Sequence, residues 1–251
     1  MILAILLALS ALYLRPHPGS HWHPNERIKR LPPKTLWVWE RSEDLSGIDT
    51  TSTAIAWLDQ TILIGNRLSF LPRRQSMLYP QAVRRIAVVR IEAQPVAKLK
   101  GAADQKLIQE IVGQIMQSAR KPDVAALQID FDATRSQREF YSELLRELRA
   151  RMPDKLPLSI TALASWCSYD DWIGDLPVDE AVPMLFRMEP DHRRASPDTA
   201  VFRIREPLCT GSIGVSTHER WPADMAGKRI YIFADRGWRE DLPYLIGRRL
   251  P

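Results

Sequence analysis

Acidic side chains alternate at the end of one apolar segment, and their spacing is the strongest chemical signal in the sequence. The segment Val124-Ala-Ala-Leu-Gln-Ile has the composition of a buried strand, and Gln128, Asp130 and Asp132 fall at alternating positions. Alternate residues of a strand point to one face, so these three side chains are expected to lie side by side. Because an unpaired buried carboxylate is costly, such acids usually have a partner or a chemical task. The spacing therefore predicts a functional site where this strand ends.

Pairs of carboxyl groups can cleave glycosidic bonds, with one acting as an acid and the other as a base or nucleophile. Asp130 and Asp132 would lie about 7 Å apart along one strand. We assign Asp132, which is nearer the strand end, as the base or nucleophile, and Asp130, held by Arg90, as the residue that orients it. Glu92 shares a face with Arg90 on the preceding strand and is the candidate acid.

Polar and aromatic residues also stand near the ends of the other predicted strands. Indole rings can stack on sugar rings while carboxylates accept hydrogen bonds from hydroxyl groups, so this combination is typical of a carbohydrate cleft. The alternative is that the mouth of a barrel is polar because it meets water, and that its ion pairs satisfy one another. The candidate binding residues are Glu40, Arg90, Gln128, Trp39, Trp166, Arg187, Asp235 and Trp238. Glu40 and Asp235 are also the next candidates for the general acid after Glu92.

Two other functions fit the same residues. A metal-dependent hydrolase could hold Mg²⁺ or Ca²⁺ through the oxygen atoms of Asp130, Asp132 and Glu92. A zinc site is not expected, because His218 alone among the histidines falls near a strand end. A barrel that binds a glycan without cleaving it is the remaining hypothesis. For the glycosidase we expect no cofactor and no metal ligands.

Eight short apolar runs recur after residue 35, with helical periodicity between several of them, most clearly at 103–120 and 136–152. Strands that alternate with helices form parallel sheets, so the pattern predicts the α/β class and a single (β/α)₈ TIM-like barrel. Residues 41–53 and 59–80 lack a helical pattern, so some helices should be reduced or missing, and Pro183 sits awkwardly in a central strand. An open doubly wound sheet is the alternative. The predicted strands are residues 36–40, 54–58, 86–92, 124–130, 158–164, 181–186, 212–215 and 229–234.

The first 14 residues are apolar throughout, whereas residues 15–34 are rich in proline and histidine. An apolar stretch this short fits the core of a signal peptide better than a full membrane span. We predict a signal peptide or an N-terminal membrane anchor over 1–14, a linker over 15–34 and one barrel domain over 35–251. The protein is expected to be exported, to the periplasm or anchored to the inner membrane. A buried N-terminal helix is the alternative.

The composition is that of an ordinary globular domain, with 45% apolar and 26% charged residues and a formal net charge of +5. Basic residues are interleaved with acids, and the sequence has no basic stripe and no aromatic RNA-binding motif. Nucleic acid is therefore not an expected partner. We predict a monomer that binds a carbohydrate or polysaccharide ligand.

The two cysteines, Cys167 and Cys209, are predicted to be free and buried. The first follows the end of one predicted strand, and the second precedes the start of another. Those positions are at opposite ends of a barrel, whereas a disulfide needs Cα atoms about 6 Å apart.

Four longer sequence segments are distinctive: Leu36-Trp-Val-Trp-Glu, Gln128-Ile-Asp-Phe-Asp-Ala-Thr-Arg-Ser-Gln-Arg-Glu-Phe-Tyr, Leu158-Ser-Ile-Thr-Ala-Leu-Ala-Ser-Trp-Cys and Leu176-Pro-Val-Asp-Glu-Ala-Val-Pro-Met-Leu-Phe-Arg-Met. Together they resemble the bacterial family catalogued as domain of unknown function 3142, over roughly residues 34–238. The resemblance implies one domain and leaves the chemistry open, since the family carries no assigned activity.

The fourth predicted strand is also similar, more weakly, to the chitinase-like glycoside hydrolases of family eighteen, in which it ends in Asp-x-x-Asp-x-Asp-x-Glu. Asp130 and Asp132 match the middle and last aspartates, and Leu127 replaces the first. Thr134 stands where that family has its catalytic acid. The family's mechanism therefore does not carry over, and any general acid must come from another strand.

Overall fold

Eight parallel strands close into a barrel in the computed structural model, which describes residues 27–186 and 203–246 apart from positions 96, 98, 100 and 171. The barrel strands follow one another in chain order, and the first pairs with both the second and the last. This closure confirms the predicted (β/α)₈ barrel and excludes the open sheet. All strands except β2, β4 and β5 belong to the barrel. The strands are β1 (Lys34–Val38), β2 (Glu43–Asp44), β3 (Thr53–Ile64), β4 (Leu68–Pro72), β5 (Met77–Leu78), β6 (Arg84–Ala93), β7 (Val124–Asp130), β8 (Leu158–Leu163), β9 (Glu180–Met184), β10 (Ser212–Ser216) and β11 (Arg229–Phe233).

Helices cover the outside of the barrel unevenly, as predicted. The long helices α1 (Gln105–Ala119) and α2 (Arg138–Arg151) pack against each other, and each buries one apolar face. The shorter helices are α3 (Ala164–Ser168) and α4 (Trp238–Ile246). Between β1 and β6 the chain forms the β3–β4 hairpin and a small sheet of β2 and β5 in place of helices. In the described part of the chain, no helix is long and apolar enough to span a membrane.

Side-chain alternation divides the apolar core into an inner and an outer layer. The inner layer fills the barrel and includes Trp37 and Val88, while the outer layer lies between the strands and the helices. Val89 belongs to the outer layer, whereas Arg90 and Glu92 continue the inward face of β6. Along β6, the alternation therefore carries the side chains of Arg90 and Glu92 to the inward face at the carboxyl-terminal end of the strand.

Residues 27–33 close the amino-terminal end of the barrel. Ile28 and Leu31 are buried in the inner layer, and the backbone carbonyl of Ile28 accepts a hydrogen bond of 2.9 Å from Arg229. The sequence analysis placed residues 27–33 in the linker. They pack against the barrel instead, so the packed domain begins earlier than predicted. Residues 1–26, which include the predicted signal peptide or anchor, lie outside the described residues.

Pro183 does lie inside a barrel strand, β9, although proline removes a donor from the strand ladder. Strands β9 and β10 share one registered pair, Gly214 with Met184. A Cβ atom on Gly214 would lie only 3.2 Å from the carbonyl oxygen of Pro183, so the glycine permits a close approach of the two strands. The sparse pairing explains why proline is tolerated here.

Cys167 and Cys209 form a disulfide with Cα atoms 5.8 Å apart, so the prediction of two free thiols is wrong. Cys167 lies in α3, and Cys209 lies in a 3₁₀ turn, Pro207–Cys209. The backbone N–H groups of Arg205 and Glu206 both donate to the carbonyl oxygen of Cys167. The prediction considered only the distance between the two cysteines along the barrel axis. Both segments instead turn outward and meet in the outer layer.

The Cys167→Ala variant is expected to lose about 3 kcal/mol of unfolding free energy, because a cross-link restricts the unfolded chain. The disulfide joins residues 42 positions apart. Denaturant unfolding of the variant and of oxidised and reduced wild type measures the loss. Equal stability of the three samples, or two titratable thiols in unfolded, unreduced protein, would contradict the bond.

Candidate functional site

Asp130 lies at the centre of a buried polar network where β7 ends. It is 3% exposed and accepts hydrogen bonds from Arg90 Nη1 at 2.8 Å and from the Thr161 hydroxyl at 2.7 Å. Arg90 also donates from Nε to a carboxylate oxygen of Glu92 at 2.7 Å. These contacts join β6, β7 and β8 at the carboxyl-terminal end of the barrel. Because both oxygens of Asp130 are occupied, its geometry suits an orienting role.

Asp132 follows at the rim, and its side chain is exposed. The pKa of Asp132 is raised above its usual range mainly because the surrounding protein removes part of its hydration. The charge of Asp130 raises the pKa further, and the charge of Arg90 opposes both effects. A solvent-accessible carboxyl with a raised pKa keeps its proton to higher pH, as a general acid requires. The electrostatics therefore favour an acid role for Asp132, where the sequence suggested a base or nucleophile.

Aromatic rings continue from this network around the mouth of the barrel. The guanidinium carbon of Arg90 lies 5.5 Å from the ring centre of Trp39. The rings of Trp39 and Trp37 are 4.3 Å apart, Trp37 stacks on Phe233 at 5.2 Å, and Phe186 lies 4.6 Å from Phe233. Trp39 and Phe186 are the half-buried members of this aromatic arc. Of the four rings, only Trp39 and Phe186 are accessible enough to stack on a sugar, because Trp37 and Phe233 are buried.

Thr134, which replaces the catalytic acid of the chitinase-like motif, begins the helical turn that leads into α2. Its backbone N–H donates to the side-chain oxygen of Gln137 at 2.8 Å, and its hydroxyl accepts from the Gln137 backbone, which completes a capping box. This position is used to start a helix and offers no carboxyl group.

Three predicted binding residues are buried and belong to the packing of the barrel. Gln128 is 0% exposed, accepts from the indole N–H of Trp37 at 2.9 Å and donates to Ser159 at 3.0 Å. Trp166 is buried in the outer layer. Trp238 is 0% exposed, and its indole N–H donates to the backbone carbonyl of Trp37 at 3.0 Å. A buried side chain cannot contact a sugar, so none of these three residues is placed to bind one.

Glu40 and Asp235 are exposed at other parts of the same rim. One oxygen of Glu40 accepts hydrogen bonds from the backbone N–H groups of Arg74 and Gln75, at 2.8 and 2.9 Å. Glu40 therefore fixes the chain that follows β4. Asp235 follows β11, where its backbone N–H donates to the side chain of Asp241. The remaining predicted residue, Arg187, lies outside the described part of the chain.

The sequence reasoning missed Thr161, Phe186 and Phe233. The position of Thr161 could have been predicted, since alternation along β8 places it on the inward face next to Asp130. The role of the two phenylalanines could not have been predicted, because apolar rings at strand ends resemble ordinary core residues in a sequence.

No group of three His, Cys, Asp or Glu side chains among the described residues is placed to hold a metal ion. The guanidinium of Arg90 lies between Asp130 and Glu92, where a shared cation would otherwise sit. The arrangement of these residues therefore does not favour the alternative of an Mg²⁺ or Ca²⁺ site.

The Asp130→Asn variant is expected to lower the pKa of Asp132, because a neighbouring negative charge is lost while Arg90 remains. If Asp132 acts as an acid, activity declines as pH rises through its pKa, and this decline should move to lower pH in the variant. Carboxyl ¹³C NMR titration measures the pKa directly. The Asp154→Asn change, in the turn before β8 at the other end of the barrel, is the control and should have no effect. An unchanged or higher pKa for Asp132 in Asp130→Asn would refute the coupling.

Residues 81–185 match the family model described as Domain of unknown function (DUF3142), which confirms the predicted resemblance. No curated protein matches the chain by sequence. The chitinase domain of the spore coat protein CotE from Clostridium difficile is similar in structure, with 13% identity, a TM-score of 0.37, and coverage of 65% of this chain and 52% of that chain. The Bacillus cereus spore cortex-lytic enzyme SleL is similar with 14% identity, a TM-score of 0.42, and coverage of 73% and 51%. The chain thus spans about half the length of each.

Proposed function

We propose that the protein is an exported, glycoside-hydrolase-like barrel that acts on a cell-envelope or extracellular polysaccharide. The observation that carries this proposal is the exposed Asp132 carboxyl, with its raised pKa, beside the buried pair of Asp130 and Arg90. The aromatic arc that begins at Trp39 adds a stacking surface next to these acids.

The carboxyl groups of Asp132 and Glu92 have different roles in the proposed reaction. Asp132 donates its proton to the glycosidic oxygen as the bond from that oxygen to the sugar carbon breaks. Glu92, which is 49% exposed and hydrogen-bonded to Arg90, attacks the sugar carbon as the nucleophile, or removes a proton from the water molecule that attacks it. This reverses the assignment made from the sequence, in which Glu92 was the acid. Arg90, which is anchored by Asp130, holds Glu92 in place.

Incubation of the purified protein with a panel of neutral and acidic oligosaccharides tests the activity. New reducing ends, measured against time for each compound, are the expected result. A panel in which no compound is cleaved and none binds would overturn the proposal.

A glycan-binding protein without hydrolytic activity is the second candidate. The capping role of Thr134 favours it, because the carboxyl group found there in the chitinase-like motif is missing. Binding without any product in the same panel would select this candidate.

Export to the periplasm, or attachment to the inner membrane through the N-terminus, is part of the same proposal. The apolar residues 1–14 support it, and so does the disulfide, since disulfides persist in oxidising compartments. Fusion of residues 1–34 to alkaline phosphatase, which is active only after export, tests this part. An inactive fusion at normal expression would contradict it.

A further inference from the structure

The barrel wall continues above the rim beside the candidate site. Strands β3 and β6 extend beyond the ends of their neighbours. Strand β4 pairs antiparallel with the second half of β3, beyond the point where β1 ends. We call this extension, formed by residues 60–64, 68–72 and 90–93, the hairpin wall. Thr61 pairs with both Leu71 and Arg90. Because directly paired residues share a face, Leu71 and Thr61 face the same side as the acid network.

The two faces of the hairpin wall differ in burial. On the outer face, Ile62 and Ile64 are 0% and 3% exposed and belong to the core. On the inner face Leu71 is 43% exposed, and Thr61 and Leu63 are half-buried. The wall thus leaves a partly apolar face open directly above the mouth of the barrel.

A cavity of about 280 Å³ lies at the foot of this face. Leu58, Leu71 and Pro72 supply apolar lining, and Glu40 and Arg74 supply the charged side chains. Small-molecule sites begin at roughly 300 Å³, so the cavity suits a single ring rather than a long chain. Thr61 also lines the cavity and pairs with Arg90 on the neighbouring strand, so the cavity adjoins the strand that carries Arg90 and Glu92.

The charges around the cavity leave an excess of one cation. Glu40 lies 3.9 Å from Arg73, which balances its charge. Among the described residues, the guanidinium of Arg74 has no ion-pair partner, and the side chain is exposed. Arginine is the side chain best suited to bind a carboxylate, because its planar fork donates two parallel hydrogen bonds.

We propose that this cavity binds a carboxylate-bearing sugar unit of the same glycan that Asp132 acts on, with Arg74 as the partner of the carboxylate. The inference rests on the proposed function and adds a substrate class, an acidic polysaccharide. One ligand spans both places, because Thr61, which lines the cavity, pairs directly with Arg90 of the acid network on the adjoining strand. Leu71 and Pro72 contact the apolar face of the ring, while the acid network holds the neighbouring unit.

Isothermal titration calorimetry of the full chain, in the Asp132→Asn background to prevent cleavage, tests the inference with two probes. One is a β-1,4-linked N-acetylglucosamine hexasaccharide, and the other is a hexasaccharide in which glucuronate alternates with N-acetylglucosamine. The acidic probe should bind about 10-fold more tightly, as expected for a hydrogen bond to a charged group. The Arg74→Gln change should remove this preference and leave the affinity for the neutral probe unchanged.

The Arg67→Gln change is the matched control, since Arg67 is an exposed arginine in the turn between β3 and β4, outside the cavity. It should keep the preference for the acidic probe. Equal binding of the two probes, or equal effects of the two arginine changes, would overturn the inference while the proposed function stands. Failure of both probes to bind would overturn the proposed function and the inference together.

Discussion

The Asp132→Asn variant is expected to turn over a cleaved glycan at least about 1,000-fold more slowly than wild type while its fold is preserved. The amide is far too weak an acid to protonate the leaving oxygen, so the loss should fall on kcat and leave substrate binding nearly unchanged. Asp132 is exposed, and its raised pKa shows that the folded protein disfavours its charge. The thermal midpoint of the variant should therefore equal or exceed that of wild type. Initial rates of reducing-end release measure the effect.

Asp154→Asn provides the matched control for this experiment. Asp154 is also exposed, and it lies in the turn before β8, at the amino-terminal end of the barrel. Its replacement should leave the rate unchanged. Equal rates for wild type and Asp132→Asn would remove Asp132 from the chemistry. An equal loss in both variants would point to a general effect of lost charge.

The Glu180→Leu variant is expected to lose about 3–5 kcal/mol of unfolding free energy, the usual cost of removing one partner of a buried ion pair. Glu180 is 1% exposed, pairs with Arg229 inside the barrel and accepts a hydrogen bond of 2.6 Å from the Tyr231 hydroxyl. Burial alone would lower the pKa of Arg229, but the charges and hydrogen bonds of Glu180 and Tyr231 together outweigh burial and raise it. The variant leaves this guanidinium buried without a counter-charge. Chemical denaturation followed by tryptophan fluorescence measures the loss.

The double variant Glu180→Leu/Arg229→Met should recover most of that stability, because replacing a whole buried pair with apolar residues is often neutral. Glu147→Gln is the control at an exposed pair on α2, where Glu147 binds Arg151, and it should change stability by less than about 0.5 kcal/mol. If the double variant were as unstable as the single, the loss would not come from the unpaired arginine.

The eight barrel strands could be predicted from the sequence because each contains a short apolar run, such as residues 86–89, which can be recognised without knowledge of the neighbouring strands. The inward direction of Arg90 and Glu92 was equally readable, since alternation is a local property of a strand. The disulfide between Cys167 and Cys209 was not readable, because it depends on how two loop segments turn outside the barrel.

The candidate site was predictable where a residue lies inside a strand and much less so where it lies beyond one. Asp130 pairs with Arg90 as expected from their strand positions. Trp166 and Trp238 stand in helices that follow strands, and the direction of a side chain there depends on tertiary packing, which buried both. The roles of Asp132 and Glu92 depend on which of them is paired with Arg90, and spacing alone cannot show this.

The position of an oligosaccharide bound to the Asp132→Asn variant tests the central claim most directly. In a crystal structure of that complex, a glycosidic oxygen should lie about 3 Å from the side chain at position 132, and a sugar ring should pack against Trp39. An oligosaccharide bound elsewhere on the barrel, with no glycosidic oxygen within reach of position 132, would contradict the assignment of this site.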